Sequence, residues 1–296
     1  MSKHAVLFPG QGSQSVGMGK ALYDSNAEVQ KWYHKANDIL GFSLTDIMYE
    51  GPIETLTQTE FTQPAIYLHS VASYFAHGLK ADMVAGHSLG EFSALAAARV
   101  ISFEDGLKLV RLRGQSMQKA GEDYPGAMAA VIGMDDTQVE DICASVSKEV
   151  GEPVVAANYN CVGQLVISGN TEAVETAMLA LKSAGCRLVK RLPVSGAFHS
   201  PLMQSAYDSL ATALDAIEFQ TPEIPVYSNY TALPTLDPAI IKSNALNQLL
   251  NPVRWTQTLV RMYDDDARSY TECGPGNVLR GLVQRTLKDV EIQGVD

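Results

Sequence analysis

Residues 82–98, "DMVAGHSLGEFSALAAA", fit a short apolar strand, a G-x-S-x-G turn around Ser88 and an alanine-rich helix into seventeen residues. A chain that passes from strand to helix this abruptly needs small residues where the two elements close on each other. Gly86 and Gly90 supply them. The same alternation recurs elsewhere. "HAVLF" at 4–8 reads as a buried strand running into the glycine-rich loop "PGQGSQSVGMG", and helical patterns cover 27–40 and 64–78. Strands alternating with helices predict an α/β fold with a mainly parallel sheet. Ser102, with Asp105 three residues on, predicts a capped helix running to about Lys119 and stopped by Gly121 and Pro125.

From residue 126 the pattern changes. "AMAAVIGM" reads as a strand, 136–149 as a polar-faced helix, and "PVVAANYN" and "QLVISG" as two strands joined across Cys161-Val162-Gly163. A helix over 171–184 and a strand in "CRLVKRLPV" complete a βαββαβ order, which is that of a ferredoxin-like unit. The expected organisation is a core of residues 1–124 and 195–296 with an inserted ferredoxin-like subdomain at 125–194. Beyond it the sequence predicts a loop and helix from "FHSPLM", a strand at 225–228, a helix near Pro252, and a strand-turn-helix over 269–287.

Charge and cysteine usage remove several function classes. A net charge of -11 over 296 residues argues against general nucleic-acid binding, which needs an electropositive surface. No stretch approaches the ~18 apolar residues of a membrane span, and the apolar run at the N-terminus is too short for a signal peptide. Cys143, Cys161, Cys186 and Cys273 lie far apart with no C-x-x-C, which suggests reduced thiols in the cytoplasm. The six histidines lack ligand spacing, so no metal site is expected.

Ser88 is either an incidental serine in a tight turn or a nucleophile exposed at a strand-to-helix bend. In the second case the Leu89 backbone N–H points where an oxyanion forms. A serine hydroxyl needs a base. His87 is adjacent, but neighbouring residues at such a bend point different ways, and it reads as structural. His199 in "GAFHSPLM" is the alternative, against a plain packing or capping histidine; no Asp or Glu is placed to orient it. The loop around Gln11 fits neither a dinucleotide fingerprint nor a P-loop. It is a simple turn or the carrier of a second oxyanion donor. On "EDGLKLVRLRGQSMQKA", Arg113 lies at the edge of the stripe Leu107, Val110, Gly114 and Met117. It either snorkels to the surface or aims its guanidinium at a carboxylate inside the protein. Arg111, about 200° away around the helix, is expected in solvent.

Five motifs in order carry a resemblance: "GQGSQ" at 10–14, "GHSLGE" at 86–91, "RG" with "MQ" at 113–118, "GAFHS" at 196–200 and "PVRW" at 252–255. Together they resemble the malonyl-CoA:acyl carrier protein transacylases of fatty acid synthesis and the acyltransferase domains of polyketide synthases, from Phe8 to about Leu287. The resemblance implies a hydrolase-like core with a ferredoxin-like insertion and a Ser88/His199 dyad. It also implies that the backbone carbonyl of Gln248 orients His199 and that Gln11 and Leu89 form the oxyanion hole. Arg113 would pair with the free carboxylate of the acyl group, and Gln63, Asn160 and Gln164 would line the cleft. Phe198 matches the malonyl-selecting form of its loop, where a bulky ring crowds an α-methyl; a methylene is worth only ~1–3 kcal/mol, so preference is expected more than exclusion.

The resemblance further implies a malonyl-serine intermediate, malonyl-CoA as substrate and acyl carrier protein as partner, and the expectation is no bound cofactor and a single copy of the chain. An unperturbed imidazole predicts activity falling below about pH 6. The basic run with Arg187, Lys190 and Arg191 is either solvated charge or a docking patch for an acidic carrier. A serine esterase or thioesterase, and a non-catalytic carrier- or CoA-binding module, are the rival readings. Acylation of Ser88 and the fate of the acyl group separate them.

Overall fold

The computed structural model describes residues 2–194 and 196–296; the boundary expected at residue 195 lies outside the described residues. Strand β1 (Lys3–Phe8) leads through the glycine-rich loop to helices α1 (Lys20–Ser25), α2 (Ala27–Leu40), α3 (Leu44–Glu50), α4 (Ile53–Leu56) and α5 (Thr59–Ala76). Strand β2 (Met83–Gly86) and helices α6 (Gly90–Ala97) and α7 (Phe103–Asp123) follow. Then come β3 (Gly126–Ile132), α8 (Asp136–Val150), β4 (Val154–Cys161), β5 (Gln164–Asn170), α9 (Thr171–Ser183) and β6 (Leu188–Arg191). The rest carries α10 (Gln204–Asp215), β7 (Val226–Tyr227), β8 (Pro234–Thr235), α11 (Pro238–Asn247), α12 (Trp255–Asp264), β9 (Ala267–Cys273), α13 (Val278–Thr286) and β10 (Glu291–Val295).

The first sheet has the order β10-β9-β1-β2-β7-β8 and is parallel except at β8, which runs antiparallel to β7. Its central strands are apolar without alternation because both faces are covered. Val6, Phe8 and Val84 pack into one cluster with α5, α6 and α7, while Ala5, Leu7, Met83 and Ala85 pack into another with α12 and α13. The register pairs Phe8 with Gly86. The Gln11 loop and the Ser88 turn therefore leave the sheet side by side at the carboxyl ends of adjacent strands, where open α/β sheets form their binding crevice.

The second sheet is antiparallel, in the order β4-β5-β3-β6. One face buries Ala127, Ala129, Val131 and Ile167 against α8 and α9; the other contributes Met128 and Val166 to the main core beside Phe198. Backbone bonds tie it to the segment before α12, Tyr159 N–H to Val253 O at 2.9 Å and Val253 N–H to Ala157 O at 2.9 Å.

Helix α7 starts as expected, with Ser102 Oγ accepting from the Asp105 N–H at 3.0 Å. Its end differs: the helix passes through Gly121 to Asp123. Glycine costs only ~1 kcal/mol within a helix, and Gly121 is buried close to the Gly196 backbone, so packing outweighs propensity. Strand β6 is shorter than "CRLVKRLPV" suggested. Helices α1, α3, α4 and α11 and the last strand, β10, had no clear counterpart in the sequence pattern. The short helices hold too few turns to show a period, and β10 is partly exposed.

The turn glycines are required by contact. A Cβ on Gly86 would lie 1.9 Å from the carbonyl of Gly90, and one on Gly90 2.1 Å from Phe8 O. Gly90→Ala is expected to lower stability by ~3 kcal/mol or more, read from the urea midpoint. Gly163→Ala, with φ +70° and no atom within 4 Å of its added Cβ, should cost ~1–2 kcal/mol. Equal losses at the two sites would contradict this packing argument.

Candidate active site

Ser88 sits at φ 53°, a left-handed conformation uncommon for a residue with a side chain. Two features hold it there: the glycines let strand, turn and helix close up, and the Asn229 amide clamps the bend. Asn229 Oδ1 accepts from the Ser88 N–H at 2.7 Å, and its Nδ2 donates to Gly86 O at 2.6 Å. Asn229 lies just past β7, the neighbour of β2 in the sheet. A clamp of this kind is how local strain persists at a working site.

His199 also has positive φ, 57°, and is buried. Its Nε2 is 2.8 Å from Ser88 Oγ and its Nδ1 is 2.7 Å from the backbone O of Gln248. A carbonyl oxygen only accepts, so Nδ1 carries the proton and Nε2 presents a lone pair to the serine hydroxyl. The orienting acid absent from the sequence is thus replaced by a peptide carbonyl. Burial, and secondarily the charge of Arg113, lower the His199 pKa to about 3. That revises the expectation of a protonation step near pH 6, which assumed a solvated imidazole.

Arg113 is turned inward and 1% exposed. Nη1 donates to Gln63 Oε1 at 2.9 Å, while Nη2 donates to Ser88 Oγ at 3.2 Å and Gln248 Oε1 at 3.3 Å. Its Cζ lies 5.7 Å from the Phe92 ring centroid, and Nε has no partner among the described residues. All three hydrogen-bond acceptors are neutral. Burial lowers its pKa to about 10, still well above neutrality, so it is a cation without an ion pair beside the serine. Arg111, expected in solvent, instead bonds Glu60 O at 2.6 Å, pairs with the Glu60 carboxylate at 3.0 Å and stacks over Phe42 and Phe61. Helix α5 offers that acid and Phe61, and the turn before α3 offers Phe42, which the periodicity of α7 alone could not reveal.

Gln11, Gln63, Ser88, Leu89, Arg113, Asn160, Gln164, Phe198 and His199 all border one cleft of about 270 Å³. Gln11 Nε2 donates to Thr59 Oγ1 at 3.2 Å, and Arg285 Nη1 donates to Gln164 Oε1 at 2.5 Å. Asn160 Oδ1 lies 2.9 Å from Nε2 of His87, whose ring meets Trp255 edge-on. His87 therefore faces the cleft wall, with its pKa lowered by burial. A larger groove of about 760 Å³ by Trp32 and Phe103 contains none of these residues. Arg187, Lys190 and Arg191 are exposed outside the cleft, and Arg191 pairs with Glu175 at 2.5 Å. Among the described residues, no three His, Cys, Asp or Glu side chains are grouped to hold a metal ion, and no helix is long and apolar enough to cross a membrane.

Sequence reasoning missed Asn229, the Gln248 side chain and Glu91. Glu91 is 1% exposed; its Oε2 accepts from Asn229 N–H at 3.0 Å and from Gln248 Nε2 at 3.2 Å. A lone acid inside the apolar run "GEFSALAA" was the available signal for it. Asn229 had only its position after a strand end. The whole arrangement provides a hydroxyl with a neutral base, a cation for a nearby anion, and backbone N–H groups at a bend, the equipment of acyl transfer through serine.

Residues 6–295 match the model of the acyl transferase domain family. The malonyl CoA-acyl carrier protein transacylase of Bacillus subtilis is 41% identical, over 99% of this chain and 94% of the relative. The structure of an acyl carrier protein S-malonyltransferase from Vibrio cholerae superposes with a TM-score of 0.95 at 43% identity, covering 100% of this chain and 97% of that one. A malonyl-transacylase solved in complex with its type II polyketide acyl-carrier protein gives 0.94 at 40% identity, covering 99% and 96%. The chain belongs to the acyl transferase domain family.

Proposed function

We propose that this protein moves the malonyl group from malonyl-CoA to the pantetheine thiol of acyl carrier protein by way of a malonyl ester on Ser88, supplying units for fatty acid synthesis. One observation carries the reading. The serine that His199 can deprotonate lies 3.2 Å from a buried guanidinium that has no acid in direct contact. A buried cation in that state is costly and favours an acyl group bearing its own carboxylate. The names of the similar proteins agree with this chemistry.

Ser88 Oγ attacks the thioester carbon as its proton passes to His199 Nε2. The oxyanion is received by the Leu89 N–H and the loop carrying Gln11. His199 then delivers the proton to the departing sulfur, and CoA leaves as its thiol. In the second half, His199 takes the proton of the carrier thiol, which attacks the ester and restores Ser88. Ping-pong kinetics follow. Phe198, Asn160, Gln164 and Gln63 shape the cleft, and Phe198 limits branching at the α-carbon.

The wider reading includes a hydrolase-like core, 1–124 and 195–296, holding a ferredoxin-like subdomain at 125–194. The βαββαβ order and the β4-β5-β3-β6 sheet support it. The reading also has one copy of the chain acting alone, without a bound cofactor. Four free cysteines fit a reducing cytoplasm. The exposed basic groups Arg187, Lys190 and Arg191 serve as a docking patch for an acidic carrier. Reversing Lys190 and Arg191 to Glu is expected to raise KM for carrier protein while leaving acylation by malonyl-CoA unchanged. An unaltered KM removes the patch.

Intact mass after mixing with malonyl-CoA should show one added malonyl group on the wild type and none on Ser88→Ala. Arg113→Ala should lower malonyl transfer by about 10²–10⁴-fold, the equivalent of ~3–5 kcal/mol for a broken buried pair, while sparing acetyl transfer. Undiminished malonyl transfer would refute the role of Arg113. With His199 at about 3, lowering the pH does not protonate the base until well below the ordinary imidazole range. The kcat/KM for acylation should accordingly not fall between about pH 7 and 5. In kcat the inflection should lie higher, because the substrate carboxylate cancels the Arg113 charge that helps depress His199. A kcat/KM that falls with an inflection near 6.5 as the pH is lowered would contradict the buried-base assignment.

A further inference from the structure

Glu91 is a buried acid that the steps above do not use. It lies on α6 one turn beyond Ser88, and it reaches Arg113 through one intermediary instead of by direct contact. Arg113 Nη2 donates to Gln248 Oε1 at 3.3 Å, and Gln248 Nε2 donates to Glu91 Oε2 at 3.2 Å. The same oxygen accepts from the Asn229 N–H at 3.0 Å. Glu91 therefore touches both residues that hold the site: Asn229 clamps the serine turn, and Gln248 orients His199 through its carbonyl.

We propose that Glu91 is a positioning residue that supplies the counter-charge of Arg113 while the cleft is empty and takes up a proton when an acyl carboxylate pairs with that guanidinium. The inference rests on the malonyl-transfer reading. One cation cannot compensate two buried anions where the side chains are this deeply buried. The arriving carboxylate contacts Arg113 directly, whereas Glu91 does so only through a neutral amide, so Glu91 is the group that neutralises. Its Oε2 keeps both donors in either state, which leaves Oε1 to carry the proton.

The surroundings support this assignment. The donors from the elements after β7 and α11, Asn229 and Gln248, are neutral. The charge acting on Glu91 is Arg113 from α7, while His199 and His87 are buried imidazoles lowered by desolvation. Burial raises the Glu91 carboxyl to about 7, against opposing pulls from Asn229 and Arg113. Masking the Arg113 charge removes one of those pulls and drives the pKa higher still.

Acylation itself consumes no solvent proton. The hydroxyl proton of Ser88 passes through His199 to the CoA sulfur, an ester bond forms and a thioester bond breaks. Any proton drawn from solvent therefore belongs to the enzyme. The test mixes the enzyme with malonyl-CoA in weakly buffered solution containing a pH indicator, with intact mass reporting the ester in parallel. Uptake on the order of half a proton per ester is expected near pH 7, vanishing by pH 5, where Glu91 is protonated in both states. Glu91→Gln keeps an acceptor oxygen and should form the ester without uptake. Ester formation with no uptake at pH 7, or the same uptake in Glu91→Gln, would overturn the proposal. So would uptake that grows toward pH 5, since it would place the proton on His199, and this readout needs only the wild type. If no ester forms, the transfer reading itself fails and takes the proposal with it.

Discussion

A guanidinium with no acid in contact, fixed within hydrogen-bond reach of a serine oxygen, is the interaction around which this molecule is organised. Keeping Arg113 buried requires neutral acceptors on several sides. The fold provides Gln63 from α5, Gln248 from the end of α11 and the face of Phe92 from α6. Each comes from a different part of the chain, so the cation exists only in the assembled protein. Its field lowers the basicity of His199 and favours negative charge on Ser88 Oγ. The same site thus selects an anionic acyl group and keeps its base neutral.

The balance is costly in stability, in opposite directions with pH. His199 is held below its ordinary 6.5, so the stability associated with its neutral form is present above that value and is lost progressively as pH falls below it. Glu91 is raised from 4.5 to about 7, so its contribution is complete below 4.5 and is lost as pH rises through that window. Neither group could be optimised for folding without surrendering the electrostatics of the cleft. This is the usual position of a working site that stores charge away from water.

The parts legible in the sequence were those governed by short-range sterics and periodicity. Gly86 and Gly90 bracket a bend that tolerates no Cβ, and "GHSLGE" shows that bend directly. The alternation of strands and helices forecast the sheet beneath it. His199, 111 residues from Ser88, had to be inferred from its loop and from a family resemblance, and the carbonyl of Gln248 from the resemblance alone. Asn229 stayed invisible because its role depends on β7 lying beside β2, which brings it to a serine 141 residues away. The lowered basicity of His199 was hidden for the same reason, since desolvation belongs to the packed molecule. Arg111 and the true end of α7 were misread because their partners lie outside that helix, Glu60, Phe61 and Phe42 for Arg111 and the Gly196 backbone for Gly121.

The central claim is that the cation by Ser88 has no acid in direct contact until an acyl carboxylate arrives. It is tested most directly by comparing the melting temperatures of the free, malonyl-Ser88 and acetyl-Ser88 forms of the protein at one pH. Each kcal/mol gained by pairing Arg113 should raise Tm by roughly 2–4 °C in a chain of this size class. The account predicts that the malonyl form melts clearly above the free enzyme and that the acetyl form does not. Equal melting temperatures for the two acyl forms would contradict it.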